Sequence, residues 1–162
     1  MAFDAFLKIE GVEGESTDEK HRGEIEILSF SWGASQTGAH AFGGGGGAGK
    51  VSIQDFNFTK FIDKASPALM QRCCNGTHLP SAILTCRKAG GENSPLDFMK
   101  VTMTYVLVSS YAAGGSGQSD ALPLDQVSLS FVKIEQEVLQ VNSDGTAIGK
   151  ATGSCGGGKA VR

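Results

Sequence analysis

Three segments of this 162-residue chain change the phase of their hydrophobic alternation part-way along, and that narrows the possible folds more than any other feature. Between Glu24 and Ala34 the apolar residues fall first on odd positions, Ile25 and Ile27, and then on even ones, Leu28, Phe30 and Trp32. Side chains of a strand alternate between faces with period two, so a one-residue slip sends the apolar set to the opposite face. Such a slip requires a bulge, or a strand that passes from one sheet to another. Val51 and Ile53 giving way to Phe56 and Phe58, and Val127, Leu129 and Phe131 giving way to Ile134 and Val138, repeat the pattern. Three long strands bent in this way predict a mainly β chain, folded as a small, strongly bent β-barrel with bulged strands.

The remaining elements follow from period and punctuation. Phe3, Ala5, Leu7 and Ile9 alternate with Asp4, Phe6 and Lys8, the pattern of a half-buried strand. The acidic, polar run 11–23 predicts an extended loop, and further strands are expected over 82–87, 98–110 and 126–141. One short flanking α-helix is expected, about Pro67 to Cys74. Ser66 is placed to cap it, Pro67 suits the first helical position, and Asn75-Gly76 supplies a left-handed stop. At about two turns it is not stable alone, so Leu69 and Met70 or Cys73 must dock on the barrel. The length is that of a single domain, 1–162, with one core.

Composition excludes several functions. Lys and Arg number 14 against 17 Asp and Glu, a net charge of −3 with the charges scattered, so no basic footprint for nucleic acid exists. No run reaches about 18 apolar residues and the first residues carry no basic leader, so neither membrane insertion nor a signal peptide is expected. Cys73, Cys74, Cys86 and Cys155 lack C-x-x-C spacing and read as reduced thiols. Gly44, Gly49 and Lys50 match the start of a phosphate-binding loop. The next residue is Val51, with no hydroxyl for magnesium, and a strand follows where a helix is required. A connector between strands fits better. His21, His40 and His78 have no metal-ligand spacing, no G-x-S-x-G elbow occurs, and Glu24 with Glu26 reads as a solvated face. No catalytic residue, cofactor or metal is expected.

A set of short motifs is far more specific together than singly: Met1-Ala2-Phe3-Asp4 with Phe6-Leu7-Lys8-Ile9, Gly14-Glu15-Ser16, Ile27 through Gly33, Gly49-Lys50-Val51, Phe58-Thr59-Lys60, Asp63 through Pro67, His78-Leu79-Pro80 and Arg87 through Gly91. In this order and spacing, up to about Val141, the chain resembles the haemolysin-coregulated proteins, Hcp, of the bacterial type VI secretion system. The resemblance implies two sheets forming a barrel with one helix, a homohexameric ring and rings stacked into a hollow tube. It also implies a surrounding sheath, a spike protein at the tip, effector proteins in the lumen, and export from the bacterial cytoplasm without a signal peptide. The chain departs from the family over 142–162, where no aromatic residue is present, so the last strand is expected to be short or missing.

The segment 29–34 then acquires a role. Phe30 and Trp32 are expected in the core, which leaves Ser29 and Ser31 on the opposite face, as candidates to line a lumen. Glu15, Ser16 and Asp18 in the first loop, and Gly44, Gly45, Gly46 and Gly47 in the second, are candidates for contact between stacked rings. A monomeric β-barrel that binds a small ligand in its interior stays open as an alternative, as does a hydrolase whose acid, base and nucleophile these loops do not assemble.

Overall fold

The structure is a computed structural model and describes residues 3–36, 51–88 and 95–156. Among them are ten strands and one helix: β1 (Phe3–Ile9), β2 (Ile25–Ile27), β3 (Ser29–Ser31), β4 (Ala34–Gln36), β5 (Val51–Ile53), β6 (Phe56–Phe61), α1 (Ala65–Asn75), β7 (Leu79–Lys88), β8 (Leu96–Gly114), β9 (Leu124–Val141) and β10 (Ala147–Gly156). The mainly β architecture in two sheets with one short helix is the expected one. The main sheet runs β2-β1-β7-β8-β9-β6-β3, with β10 on β9, and β4 pairs with β5 separately.

Each phase slip marks a change of partner. β2 pairs with β1 and β3 pairs with β6, and the one residue between them, Leu28, turns the chain from one part of the wall to the other. Its backbone N–H donates to the Thr59 carbonyl at 2.8 Å. The path is thus open as a hydrogen-bonded ladder, and the chain itself joins its two ends at Leu28. The slip between Ile53 and Phe56 separates β5, in the small sheet, from β6 in the large one. In β9 the slip falls where the strand exchanges β6, paired through Leu129, for β10, paired from Lys133 onward. β8 accompanies β9 along almost its whole length and absorbs an extra residue at Ser109, where the register shifts between Val108 and Ser110.

The interior that these bends enclose is filled. Leu7, Ile25, Phe56, Leu84, Met103 and Leu129 are all 0 % exposed. Phe6, expected on the outer face of β1, is buried as well. The 11–23 segment brings His21 onto its ring, with centroids 4.4 Å apart, and the Arg87 guanidinium lies 4.9 Å from the same centroid. That segment is pinned back on itself: Gly14 N–H donates to Gly23 O, Ser16 N–H to Glu24 O, and Gly23 N–H to Ser16 O. Gly14 has no room for a side chain, since a Cβ there would meet the Glu24 carbonyl oxygen at 2.3 Å.

Two expectations need correction. The helix begins at Ala65, ahead of Pro67, and Ser66 does not cap it. Asp63 accepts the Ala65 N–H at 2.9 Å, and Ser66 turns inward into a buried polar cluster. The C-terminal end is as expected: Gly76 is left-handed (φ 66°) and its N–H donates to Arg72 O. Leu69 is buried against the core, Cys73 half-buried, and Met70 half-exposed at the surface. The second correction is the last strand, which is neither short nor missing. β10 pairs with β9 from Ala147 to Gly156 without any aromatic residue, because main-chain hydrogen bonding needs none.

Candidate functional site

The strands β3, β6, β9 and β8 place one face of their side chains in two cross-strand rows. Ser29 lies opposite Thr59, Thr59 opposite Gln126, and Gln126 opposite Ala112. Ser31, Asn57, Ser128 and Ser110 form the second row in the same way. Because the side-chain period is two, the residues between them, such as Phe30, Phe58 and Val127, point to the core and the rows point outward. The result is a shallow open groove of about 420 Å³ whose outward side chains are hydroxyls, primary amides and one methyl, with no charge in either row.

Sequence reasoning singled out Ser29 and Ser31, and the fold adds Thr59, Gln126, Asn57, Ser128, Ser110 and Ala112. Some of these polar groups pair across the strands. Ser29 Oγ and Thr59 Oγ1 are 2.5 Å apart, Ser128 Oγ donates to Asn57 Oδ1 at 2.5 Å, and Ser109 Oγ donates to Asp55 Oδ2 at 2.7 Å at the end of the face. Such a surface of neutral polar groups offers a passing molecule weak, replaceable hydrogen bonds and little apolar area. No group of His, Cys, Asp and Glu that could hold a metal ion occurs among the described residues.

Directly behind the first row is a buried charge cluster. Lys60 and Asp125 are register partners on β6 and β9, both 0 % exposed. Lys60 Nζ donates to Asp125 Oδ2 at 2.9 Å, Asp63 Oδ1 at 2.8 Å and Ser66 Oγ at 2.7 Å. Ser66 Oγ donates to Asp125 Oδ2 at 2.6 Å, and the Tyr111 hydroxyl reaches the same oxygen at 3.3 Å. Burial, and then the Asp125 charge, raise the Tyr111 phenol above its ordinary value. The cluster ties α1 to β6 and β9, and so holds the sheet that displays the rows. Thr59 and Gln126 are the chain neighbours of Lys60 and Asp125, facing the other way.

The remaining candidates are placed as follows. Phe30 and Trp32 are half-buried and pack against the core, Phe30 lying 6.0 Å from Phe56 and 6.2 Å from Phe3 between ring centroids. Glu15 is exposed and accepts the Lys64 backbone N–H at 3.1 Å. Ser16 is buried at 5 % exposure, and Asp18 is bridged to Arg87 at 2.8 Å, which holds its carboxyl below the usual value. Gly44, Gly45, Gly46 and Gly47 lie outside the described residues, as does His40. His21 contacts Glu24 through Nδ1 and Asp97 through Nε2, while His78 stacks on Tyr105 with centroids 4.5 Å apart. All four cysteines are free thiols, and burial pushes Cys86 up to about 11.

Comparison with known proteins gives a consistent result. Residues 6–138 match the family model described as type VI secretion system effector, Hcp. Protein hcp1 of Pseudomonas aeruginosa is 49 % identical over 149 residues, covering 92 % of this chain and 91 % of its own. Among solved structures, Hcp1 from Salmonella typhimurium superposes with a TM-score of 0.76 at 37 % identity, covering 96 % of this chain and 95 % of that one. A structure described as a type six secretion system protein has a TM-score of 0.85 at 30 % identity, with 94 % and 93 % covered.

Proposed function

Because this chain belongs to the Hcp family of type VI secretion proteins, we propose that it is the structural subunit of that system's tube. Six copies close into a ring, rings stack, and the Ser29 and Ser31 rows face the lumen through which effector proteins travel. The observation that carries this reading is the uncharged hydroxyl and amide face, in register across four strands. A wall that cargo of varied sequence must slide past should bind none of it tightly, and charges or large apolar side chains would.

The edges of that face support a ring. β3 pairs only with β6, and residues 107–114 of β8 pair only with β9, so among the described residues both flanks of the four-stranded face have an unpaired edge. Unpaired edges are templates for further strands, and joining one copy's edge to the next extends the wall sideways. Four strands from each of six copies, at about 4.8 Å per strand, give a backbone cylinder roughly 37 Å across before strand tilt widens it. That is room for a small folded domain or an unfolded chain.

The finer assignments belong to the same proposal. Contacts between stacked rings fall to the segment holding Glu15, Ser16 and Asp18 and to the one holding Gly44, Gly45, Gly46 and Gly47. Since Ser16 is buried, it would contribute through the shape of the segment it pins. The sheath surrounds the tube, the spike caps it, and the chain leaves the cell by the type VI route. A small-ligand barrel is the weaker reading, since the interior it would need open is occupied by Phe56, Met103 and Leu129. Native mass spectrometry of the purified chain, with negative-stain images of the same sample, tests the proposal. A hexamer with ring-shaped particles is expected, and a monomer at micromolar concentration would overturn it.

A further inference from the structure

Five exposed apolar side chains collect where strands begin and end. Phe3 opens β1, Leu28 turns β2 into β3, Phe61 closes β6, Ile62 follows it and Leu122 lies just ahead of β9. The sheet gives little cover at such positions, and these residues are 47, 51, 43, 45 and 66 % exposed. They line two adjoining clefts of about 480 and 270 Å³, which share Phe61 and Glu26. A contiguous apolar strip with a polar rim marks an interaction site, where singly scattered apolar residues would not.

The floor of the strip is fixed and its rim is acidic. The Phe3 ring meets Phe30 edge-on at 6.2 Å, and the Arg87 guanidinium lies 4.9 Å from the Phe6 centroid. Arg87 is the one base that lines either cleft among the described residues, and it is bridged to Asp18 at 2.8 Å and to Asp4 at 3.3 Å. Asp63 is likewise taken up by Lys60. Three exposed acids stand around the rim: Asp4, which shares Arg87 with Asp18, then Glu15, and Glu26, which borders both clefts. An occupant must therefore bring apolar side chains for the floor and positive charge for the rim, and an anionic lipid or a nucleic-acid backbone would be repelled.

We infer that the strip is a docking groove for an amphipathic segment of a different protein, one whose apolar side chains enter the two clefts and whose lysines or arginines meet Glu26, Glu15 and Asp4. Apolar anchors laid into a groove, with flanking charges setting their register, are a recurring mode of peptide recognition. A second copy is the poorer occupant, because this chain's own lysines stand among acids. Lys64 pairs with Glu13, Lys150 pairs with Glu137, and Lys8, Lys20 and Lys100 share a cleft with Glu24, Asp97 and Glu137. The inference goes beyond the tube reading and does not rest on it.

Fluorescence anisotropy of short labelled peptides, titrated with the purified chain, tests it. One peptide carries leucines spaced three and four apart with lysine elsewhere, and its counterpart carries glutamate in place of lysine. The lysine peptide is expected to bind at least tenfold more tightly. Glu26→Lys should weaken that binding at least threefold, while Glu135→Lys, the same change in net charge on β9 away from the groove, should leave it unchanged. Phe61→Ser should weaken it at least tenfold, at high salt as well as low, and Leu28→Ser takes its place should Phe61→Ser unfold the chain. Absence of binding, equal binding of the two peptides, or equal weakening by Glu26→Lys and Glu135→Lys would overturn the inference. A wild-type hexamer that excludes the lysine peptide and comes apart on Phe61→Ser would give the groove to a second copy, which overturns the inference and leaves the ring reading standing. A monomeric chain that binds the peptide as expected would do the reverse.

Discussion

Replacing Lys60 with methionine tests how the wall behind the candidate lumen face is held. The substitution keeps the volume of the stem but removes the cation that faces Asp125 at 2.9 Å and Asp63 at 2.8 Å. Asp125 is 0 % exposed and one of its oxygens, Oδ1, already lacks a partner among the described residues, so without Lys60 it keeps, among them, the hydroxyls of Ser66 and Tyr111. Removing one member of a buried ion pair costs about 3–5 kcal/mol, because the other charge is left uncompensated. Against a total stability on the order of 5–15 kcal/mol, that is a large fraction. With a urea slope of about 2 kcal/mol per molar, the unfolding midpoint should fall by ~2 M. Emission from Trp32, half-buried against the core, reports the transition. The measurement belongs at a fixed, low protomer concentration at which the chain is monomeric, so that no assembly adds to apparent stability. Lys60→Met with Asp125→Leu should recover at least half of the loss, since both buried charges are then gone. A single-variant shift below ~0.5 M would refute the reasoning and mean that Lys60 and Asp125 are not a sequestered pair.

Four further outcomes are expected. Ser31→Gln places a long amide where a hydroxyl stands on the exposed row; hexamers should persist by native mass spectrometry while co-purifying effector falls, and unchanged effector levels would remove Ser31 from the lumen. Asp18→Asn tests the acid limb of stability. The Arg87 contact holds the Asp18 carboxyl below its ordinary value of 3.8, so its contribution is complete above that value and is lost as pH falls further, toward the lowered value in the fold. The variant should therefore be less stable near neutrality and show a flatter decline below pH 3.8 in thermal melts. Gly14→Ala forces a methyl to within 2.3 Å of the Glu24 carbonyl, so the 11–23 segment must shift; faster amide exchange at Ser16 and Gly23 is expected, with a loss of about 1–3 kcal/mol. Deleting Gly44 to Gly47 should leave rings but abolish tubes in negative-stain images, and persistent tubes would reduce the segment to a connector.

Local sequence determined a good deal of this protein. The slip at Ile27-Leu28 was legible because alternation is a near-neighbour property, and it correctly marks the single residue at which β2 becomes β3. Asn75-Gly76 ended the helix for an equally local reason, the left-handed conformation that glycine adopts at φ 66°. The motifs spread from Met1 to Gly91 carried the family for the same reason, since each is a short run of residues read in order. What tertiary structure alone decided is which residues face one another. Ser66 has the chemistry of a helix cap, yet the fold turns it toward Lys60 and Asp125, and Asp125 lies 65 residues from its register partner Lys60. The serines of β3 become part of a face only because β6, β9 and β8 align Thr59, Asn57, Gln126, Ser128 and Ser110 beside them, and a one-residue change of register would turn those side chains into the core. The existence of β10 was invisible for a related reason. Its glycines and small residues carry little strand preference, and the ladder of β9 supplies the hydrogen bonds that their side chains cannot signal.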